Sequence, residues 1–271
     1  MSIVDFHIHT APSLAPRHHD DRSIGAVLAG AGVGTYVLKA HEGSTAERAQ
    51  LAGNGAVGSI VLNSPVGGAN PDAVMVATAF GARVVWMPTI SSAAHQTNEH
   101  SAELKAHDGI RFARVQVTED GRVRPEWNDV FDEVAAADAV LAAGHLAMDE
   151  AVAVFRAARL RGVQRFLVNH PLLPFLGWRD EHVDQLAELG AYIEVGVLAD
   201  LLGGDDGPTA TQRLAGAYPA ALLVFGSDLG HRNYPDVVPG MQDWLLATER
   251  VLPGAALDRI TVTNGKELLT R

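Results

Sequence analysis

Two histidines lie two positions apart near the start of the chain, in the segment VDFHIHT, with Asp5 just before them. Side chains two residues apart in a β-strand leave on the same face, so His7 and His9 would point into one shared space. Two converging imidazoles are typical of a metal site. The pair alone fits ordinary strand histidines equally well, so further ligands elsewhere in the chain must decide between the two interpretations.

Further metal-ligating residue types occur at the ends of other short apolar runs. These runs end in, or carry, Lys39, His41, Asn63, His145, His170, Glu194 and Asp228. A buried ionisable group is costly unless it is paired or coordinated, so a core-facing cluster of four histidines and an aspartate is hard to explain without a cation. The pattern therefore favours a divalent transition metal, with zinc as the first expectation and manganese, iron or nickel as alternatives.

Eight apolar segments alternate with helix-like segments along the chain: SIVDFHIH, GTYVLKAH, GSIVLN, ARVVWMP, AVLAAGH, RFLVNHP, AYIEVG and LLVFGSD. Such alternation is typical of a parallel sheet covered by helices. Helix-start signals lie between them, such as Asn70 before Pro71 and a capping box from Ser44 and Glu47. Because no glycine-rich phosphate loop follows the first segment, the sequence predicts an α/β fold of the (β/α)8 TIM barrel type rather than a doubly wound sheet.

One irregular region, residues 90–125, interrupts the alternation and is interpreted as an insertion after strand four. Its segment IRFARVQVTEDGRVRPE predicts a hairpin that turns at Asp120 and Gly121. The region also carries three histidines, of which one could reach the barrel mouth as a lid residue: His95, His100 and His107. No linker-like stretch divides the chain, so residues 1–271 are predicted to form one domain.

Composition excludes several classes of function. A formal charge of −11 without a basic cluster argues against nucleic-acid binding, and the absence of cysteine excludes disulfides and thiolate ligands. There is neither a signal-like N-terminus nor an apolar stretch approaching about 18 residues, which predicts a soluble cytoplasmic protein that does not bind membranes. The expected partner is a small molecule, and homo-oligomerisation is left open.

The ordered set of candidate ligands resembles the metal-dependent amidohydrolase superfamily. Barrels of that superfamily carry His-X-His on strand one, histidines on strands five and six, and an aspartate on strand eight. The matching segments here are DFHIHT, AAGHLA, VNHP and FGSDLG, and LDRITVTNGKELL is similar to the closing Asn-containing helix. Segments such as LNSPVGGANPDAV are also similar to an uncharacterised amidohydrolase-like group. The resemblance implies five candidate metal ligands: His7, His9, His145, His170 and Asp228.

The resemblance is incomplete at the position of a bridging ligand. Binuclear members usually carry a carboxylated lysine or a glutamate around strand three or four, and VVWMPT supplies neither. A mononuclear site is therefore favoured, with one of His145 and His170 binding the metal and the other lying near the reacting group. Lys39, on the second strand, is interpreted as a substrate-facing cation or a salt-bridge partner rather than as a carbamylated ligand.

The implied activity is a metal-dependent hydrolase that acts on C–N or ester bonds of a small molecule through a metal-activated water. In that scheme Asp228 is a ligand and proton shuttle, and the histidine that does not bind metal, His145 or His170, stabilises oxyanion charge. Candidates for binding an anionic substrate group lie near the predicted barrel mouth: Lys39, His41, Arg179 and Arg232.

Three other functions remain open. The segments DFHIHT, LKAHEG and GSDLGH also resemble the polymerase-and-histidinol-phosphatase phosphoesterases. However, that family typically has Asp-X-His where Asp228 and His231 here are separated by two residues, and eight strands exceed its usual seven. A metal-dependent decarboxylase or other lyase would use the same motifs. A barrel that binds a ligand without turnover is the third possibility.

Overall fold

The computed structural model describes residues 2–53, 55–97, 109–203 and 209–270. In chain order, the strands of these residues are β1 (Ile3–His9), β2 (Val33–Lys39), β3 (Ala56–Val61), β4 (Ala82–Trp86), β5 (Thr118–Glu119), β6 (Arg122–Val123), β7 (Val140–Ala142), β8 (Arg165–Val168), β9 (Tyr192–Val195) and β10 (Leu223–Phe225). Strands β5 and β6 form a separate antiparallel hairpin. The other eight are parallel, pair in the order of the chain, and coincide with the eight predicted segments. The predicted barrel fold is confirmed.

Helices follow the strands and cover the sheet. They are α1 (Asp21–Gly30), α2 (Ala46–Ala52), α3 (Pro71–Ala79), α4 (Ala93–Thr97), α5 (Trp127–Ala136), α6 (Met148–Leu160), α7 (Glu181–Glu188), α8 (Val197–Leu202), α9 (Ala210–Ala217), α10 (Val237–Thr248), α11 (Gly254–Asp258) and α12 (Asn264–Thr270). A π-helical segment, Arg259–Thr263, joins the last two. Across the residues described, none of the helices has the length and apolar character needed to cross a membrane.

The predicted helix starts are confirmed in one case and displaced in another. Helix α3 begins at Pro71, and the Asn70 side chain accepts a hydrogen bond from the Ala73 backbone N–H at 3.1 Å. Helix α2 begins one residue later than the predicted capping box requires, because Thr45 occupies the N-cap position. The Thr45 hydroxyl donates to the Leu38 carbonyl at 2.7 Å, and so ties the helix entry to β2 instead of capping α2.

The ring of strands closes between β1 and the residues that follow β10. The Asp228 backbone N–H donates to the His7 carbonyl at 2.8 Å, and the His9 N–H donates to the Leu229 carbonyl at 2.9 Å. Gly230 follows with φ +126°, and a Cβ atom there would lie 1.9 Å from the His9 carbonyl oxygen. Closure of the barrel therefore requires glycine at position 230.

Helix α12 covers the amino-terminal end of the barrel. Its Leu268 and Leu269 pack with a cluster of buried strand residues: Val4, Phe6, Val37, Val61, Val84, Trp86, Val140, Ala142, Leu167 and Val224. The carbonyl oxygens of Leu268 and Leu269 accept hydrogen bonds from Arg165 and Arg83, near the starts of β8 and β4. Asn264, the asparagine of the closing helix, donates to the Leu223 carbonyl. The opposite, carboxyl-terminal end of the strands is left for the polar residues.

The insertion after β4 contains the predicted hairpin. Asp120 and Gly121 connect β5 to β6 with φ of 50° and 74°, and two positive φ values in a two-residue turn are typical of a type I′ hairpin. The insertion also contributes α4, which carries His95. His100 and His107 lie outside the described residues.

Gly230→Ala tests the closure. We expect it to lower the free energy of unfolding by about 2 kcal/mol or more, because the new Cβ would overlap the His9 carbonyl at a positive φ. Urea unfolding followed by circular dichroism measures the effect. The control is Gly216→Ala in α9, where a Cβ meets no atom within 4 Å; we expect it to be neutral or to stabilise by up to about 1 kcal/mol. Equal midpoints for Gly230→Ala and wild type would contradict this account of closure.

Candidate metal centre

Three potential metal ligands meet where the barrel closes. The Asp228 Oδ1 atom lies 3.0 Å from His7 Nε2 and 3.2 Å from His9 Nε2. One ligand atom from each residue lies within 4.8 Å of the others, and both histidines are buried. The hydrogen bond from the Asp228 N–H to His7 places the aspartate beside the first strand, so this donor group, His7–His9–Asp228, is a direct product of closure.

Acidic and basic side chains hold the His7 ring from two sides. Its Nδ1 lies 3.1 Å from both carboxylate oxygens of Glu194, on β9, and its Nε2 lies 2.9 Å from Lys39 Nζ. Burial raises the pKa of Glu194 well above its ordinary value, and the charge of Lys39 opposes that shift. In its ionised form Glu194 accepts from Nδ1–H, which leaves Nε2 as the lone-pair atom of the ring. That is the tautomer in which Nε2 can bind a metal ion. The donor chemistry of His7 therefore fits a bound metal ion.

Burial sets the protonation of these groups. It lowers the pKa of His7 and His9 well below 6.5, and the positive charges of Lys39 and Arg17 lower it further. Both imidazoles are therefore neutral at neutral pH, as metal ligands must be. Burial also lowers the pKa of Lys39 to about 8, against the opposing effect of Asp228 and Glu194.

Lys39 lies among the donors and not on the wall of the cavity. Only 1% of it is exposed, and its Nζ lies 4.5 Å from the centre of the Trp86 ring, over the ring face. Lys39 therefore contacts His7 and Trp86, while the charges of Asp228 and Glu194 act on it from beyond ion-pair distance. The assignment of Lys39 to substrate binding stays a prediction.

The two remaining candidate ligands lie at different distances from the donor group. His170 Nε2 is 3.9 Å from Asp228 Oδ2, and its buried Nδ1 has no hydrogen-bond partner in the described chain. His145 is further along the wall: its Nδ1 lies 2.9 Å from Nδ1 of His95, and the two rings stack at 5.0 Å. Neither belongs to the group within 4.8 Å, and His170 is the nearer of the two. Their assignment as ligands stays a prediction.

A cavity opens from the donor group at the carboxyl ends of the strands. Six histidines line it: His9, His41, His95, His145, His170 and His231. Its apolar wall consists of Leu173, Phe175, Leu198, Leu202 and Tyr234. Asp228 and Arg17 supply the carboxylate and the guanidinium of the lining. Of the three histidines of the insertion, His95 lies in the described part of the chain, and it lines the cavity.

His41 is held in the lining by neighbouring strand ends. Its Nδ1 lies 2.8 Å from the Thr89 hydroxyl, and the Asn63 amide donates both to that hydroxyl, at 2.7 Å, and to the His41 carbonyl, at 2.9 Å. The His41 ring stacks on His9 with centroids 4.9 Å apart. His41 thus lines the cavity and Asn63 positions it, while contact between His41 and a substrate stays a prediction.

Arg179 is not brought to the cavity. Its guanidinium bonds the carboxylates of Asp149, at 2.6 Å, and Glu181 in a half-exposed ion-pair network that also includes His182. The hydrogen bonds to the two carboxylates raise the pKa of Arg179. A second group of potential metal ligands consists of Asp149, Glu181 and His182. Arg179 already forms ion pairs with both of its carboxylates. The described structure thus does not bring Arg179 to the cavity lining, and its assignment to substrate binding stays a prediction.

Two residues of the lining were not identified as site residues from the sequence. Arg17 lies in the loop after β1, and His231 lies three residues after Asp228. The two residues form an isolated antiparallel bridge, which joins the loops at opposite ends of the chain. No local pattern predicts that contact; the closeness of His231 to Asp228 in GSDLGH is the only signal that the sequence offers.

The eight-stranded barrel, which carries His7, His9 and Asp228 at its carboxyl end, has the same fold as solved amidohydrolase structures. Solved structures with this fold include an amidohydrolase from Pseudomonas aeruginosa, at 12% identity and a TM-score of 0.65, covering 99% of this chain and 95% of the other. A 2,6-dihydroxybenzoate decarboxylase from Rhizobium has 14% identity and a TM-score of 0.57, covering 99% and 98%. A TatD homologue from Escherichia coli has 12% identity and a TM-score of 0.62, covering 99% and 98%.

Within that fold, residues 2–194 match the sequence profile described as "Family of unknown function (DUF6282)". The chain therefore belongs to this family. No curated protein sequence matches it.

Metal content tests the donor group directly. We expect about one transition-metal ion per chain in untagged wild-type protein, and a small fraction of that in His7→Ala and Asp228→Ala, because each removes a ligand. Inductively coupled plasma mass spectrometry gives the stoichiometry. His182→Ala, from the second donor group, is the matched control and should keep its metal. Unchanged metal in folded His7→Ala and Asp228→Ala proteins would show that the ion, if present, binds elsewhere.

Glu194→Gln tests the contact that fixes the His7 tautomer. We expect zinc affinity to fall about 10- to 100-fold, since the substitution removes the acidic group that orients the His7 imidazole. Competition with a chromophoric chelator measures the affinity. Glu150→Gln, a half-buried carboxyl that bonds Thr118 outside the site, should leave it unchanged. An equal loss in both variants would point to a general loss of stability instead.

Proposed function

We propose that the protein is a metal-dependent hydrolase that acts on a C–N or ester bond of a small-molecule substrate. The observation that carries the proposal is the donor group itself: two neutral imidazoles and a carboxylate converge, almost fully buried, beside a cavity lined by further histidines. A divalent ion held there would lower the pKa of water towards about 7 and polarise a substrate carbonyl. Zinc suits these ligands best, and manganese, iron and nickel share the same ligand types.

The chain's own residues supply the remaining requirements of hydrolysis. Asp228 is 13% exposed and lines the cavity, so one carboxylate oxygen can accept a proton while the other faces His7 and His9. Burial raises the pKa of this carboxyl above its ordinary value, and a bound cation would oppose that shift.

In this proposal the outer histidines, His145 and His170, stabilise negative charge on the substrate. The rings of His145 and His170 lie 5.2 Å apart, and both line the cavity next to the donor group. Ser92 fixes the backbone at both His145 and His95. Its hydroxyl donates to the His145 carbonyl at 2.7 Å and accepts from the His95 N–H at 3.1 Å. Fixed imidazoles facing a partly apolar cavity are suited to an oxyanion that develops during hydrolysis.

An activity screen of the zinc-loaded protein tests the proposal. The panel contains carboxylic esters, amides and lactones, with phosphate monoesters and hydroxybenzoic acids as competing classes. We expect hydrolysis of a member of the first group, lost on chelation and reduced at least 100-fold in kcat by Asp228→Asn, which keeps the shape but not the base. Bound metal is measured for each variant, so that a loss of zinc is not mistaken for a loss of proton transfer.

Each competing function has its own outcome in that screen. Release of carbon dioxide without hydrolysis would make the protein a decarboxylase, and cleavage confined to phosphate monoesters would make it a phosphoesterase. Saturable binding without turnover would identify a ligand-binding barrel. Hydrolysis that persists in metal-stripped His9→Ala protein would overturn the metal-dependent mechanism.

A further inference from the structure

A buried arginine faces the cavity without an acidic partner of its own. Arg17 is 6% exposed, lines the cavity, and takes part in no ion pair within the described ranges of the chain. Burial lowers its pKa to about 10, so the guanidinium is still charged at neutral pH. An unpaired buried charge is unfavourable, which makes the position of Arg17 informative about what the cavity binds.

The hydrogen bonds of Arg17 leave most of its donors available. Its Nε donates to the Ser13 hydroxyl at 3.2 Å, and this hydroxyl in turn donates to Glu42 at 2.9 Å. Glu42 thus balances part of the charge at a distance, while its Oε1 atom is already shared with the Leu14 N–H. A guanidinium has five N–H donors, and this contact uses one of them.

The loop that carries Arg17 is held against the end of the barrel. The Arg17 carbonyl accepts from Arg232 Nε at 2.8 Å, and the N–H of Arg232 donates to the Pro16 carbonyl at 3.2 Å. The next residue, His18, donates its N–H to the Gly230 carbonyl at 2.9 Å. These contacts fix the backbone on both sides of Arg17, so the guanidinium is positioned before any ligand arrives.

The charge balance of the cavity also favours an anionic ligand. Its only carboxylate within the described residues, Asp228, belongs to the donor group and would be neutralised by a bound divalent ion. The lining histidines add no negative charge, and the remaining wall is apolar. With metal present, the cavity therefore holds two centres of positive charge and an apolar surface.

We propose that Arg17 binds the carboxylate of a small organic acid with an apolar body, whose reacting bond lies at the donor group. This inference rests on the proposed function and specifies its substrate class. A planar guanidinium bonds a carboxylate through two parallel N–H donors, and the buried setting strengthens both bonds. The apolar wall then packs against the rest of the molecule. Arg17, and not Arg179, takes the role of the substrate-binding arginine.

Binding of benzoate and of its neutral isostere benzamide tests the proposal without requiring turnover. Isothermal titration calorimetry on the zinc-loaded protein should give at least tenfold tighter binding of benzoate than of benzamide. Arg17→Gln should abolish this preference, and Arg17→Lys, which keeps the charge but not the paired donors, should retain part of it. The control is Arg156→Gln, which removes an exposed charge on α6 and should bind as wild type does. Circular dichroism and zinc content establish that each variant is folded and loaded.

The remaining outcomes separate this proposal from the proposed function. A benzoate preference that survives in Arg17→Gln would show that the metal alone holds the anion, and equal affinity for both probes in wild type would exclude the carboxylate class. Tighter binding of phenyl phosphate than of benzoate would replace that class with phosphate esters. Arg17-dependent benzoate binding in a protein that hydrolyses nothing would support the role of Arg17 and reject the hydrolase.

Discussion

A buried network of charges around His7 constrains the carboxyl end of the barrel. The imidazole lies between Glu194 and Lys39, and Asp228 completes the group. Removing one member of such a network leaves an uncompensated buried charge, at a cost of about 3–5 kcal/mol, so the members depend on one another. The network is therefore weak evidence for stability and stronger evidence for function. An apolar interior would fill the same space without this dependence, whereas a site that must hold a cation requires it.

Closure of the barrel and assembly of the site depend on the same residues. The backbone of Asp228 bonds the first strand, while its side chain faces the two histidines of that strand. Asp228 and His170 both have positive φ, at 52° and 33°, which is unfavourable for residues other than glycine. Backbone strain of this kind persists where surrounding contacts enforce it and is concentrated at functional sites. Here the closing hydrogen bonds hold the backbone of Asp228 in the conformation that aims its carboxylate at the donors.

The fold and the inner part of the site could be predicted from the sequence, because both follow from periodicity. Parallel strands bring their carboxyl ends to one face, so polar residues that end apolar runs must meet there, as His7, His9 and Asp228 do. The outer part of the site, which lines the cavity, could not be predicted, because it depends on how the loops pack. Nothing local distinguishes Arg17, which lines the cavity, from Arg179, which is taken up by Asp149 and Glu181. The start of α2 was also misplaced, because it depends on a contact between distant residues: the Thr45 hydroxyl bonds β2 instead of capping the helix.

The placement of positive charge bears on the choice between hydrolysis and decarboxylation, since this fold occurs in proteins of both kinds. A decarboxylase must let the carboxylate lose its charge as carbon dioxide leaves. A buried arginine that binds that same carboxylate stabilises the ground state more than the transition state, and so opposes the reaction. If Arg17 holds the carboxylate away from the donors, the group serves as a handle, and the reacting bond is a different one. An arginine of the cavity lining in this role is therefore an argument for hydrolysis of a different bond.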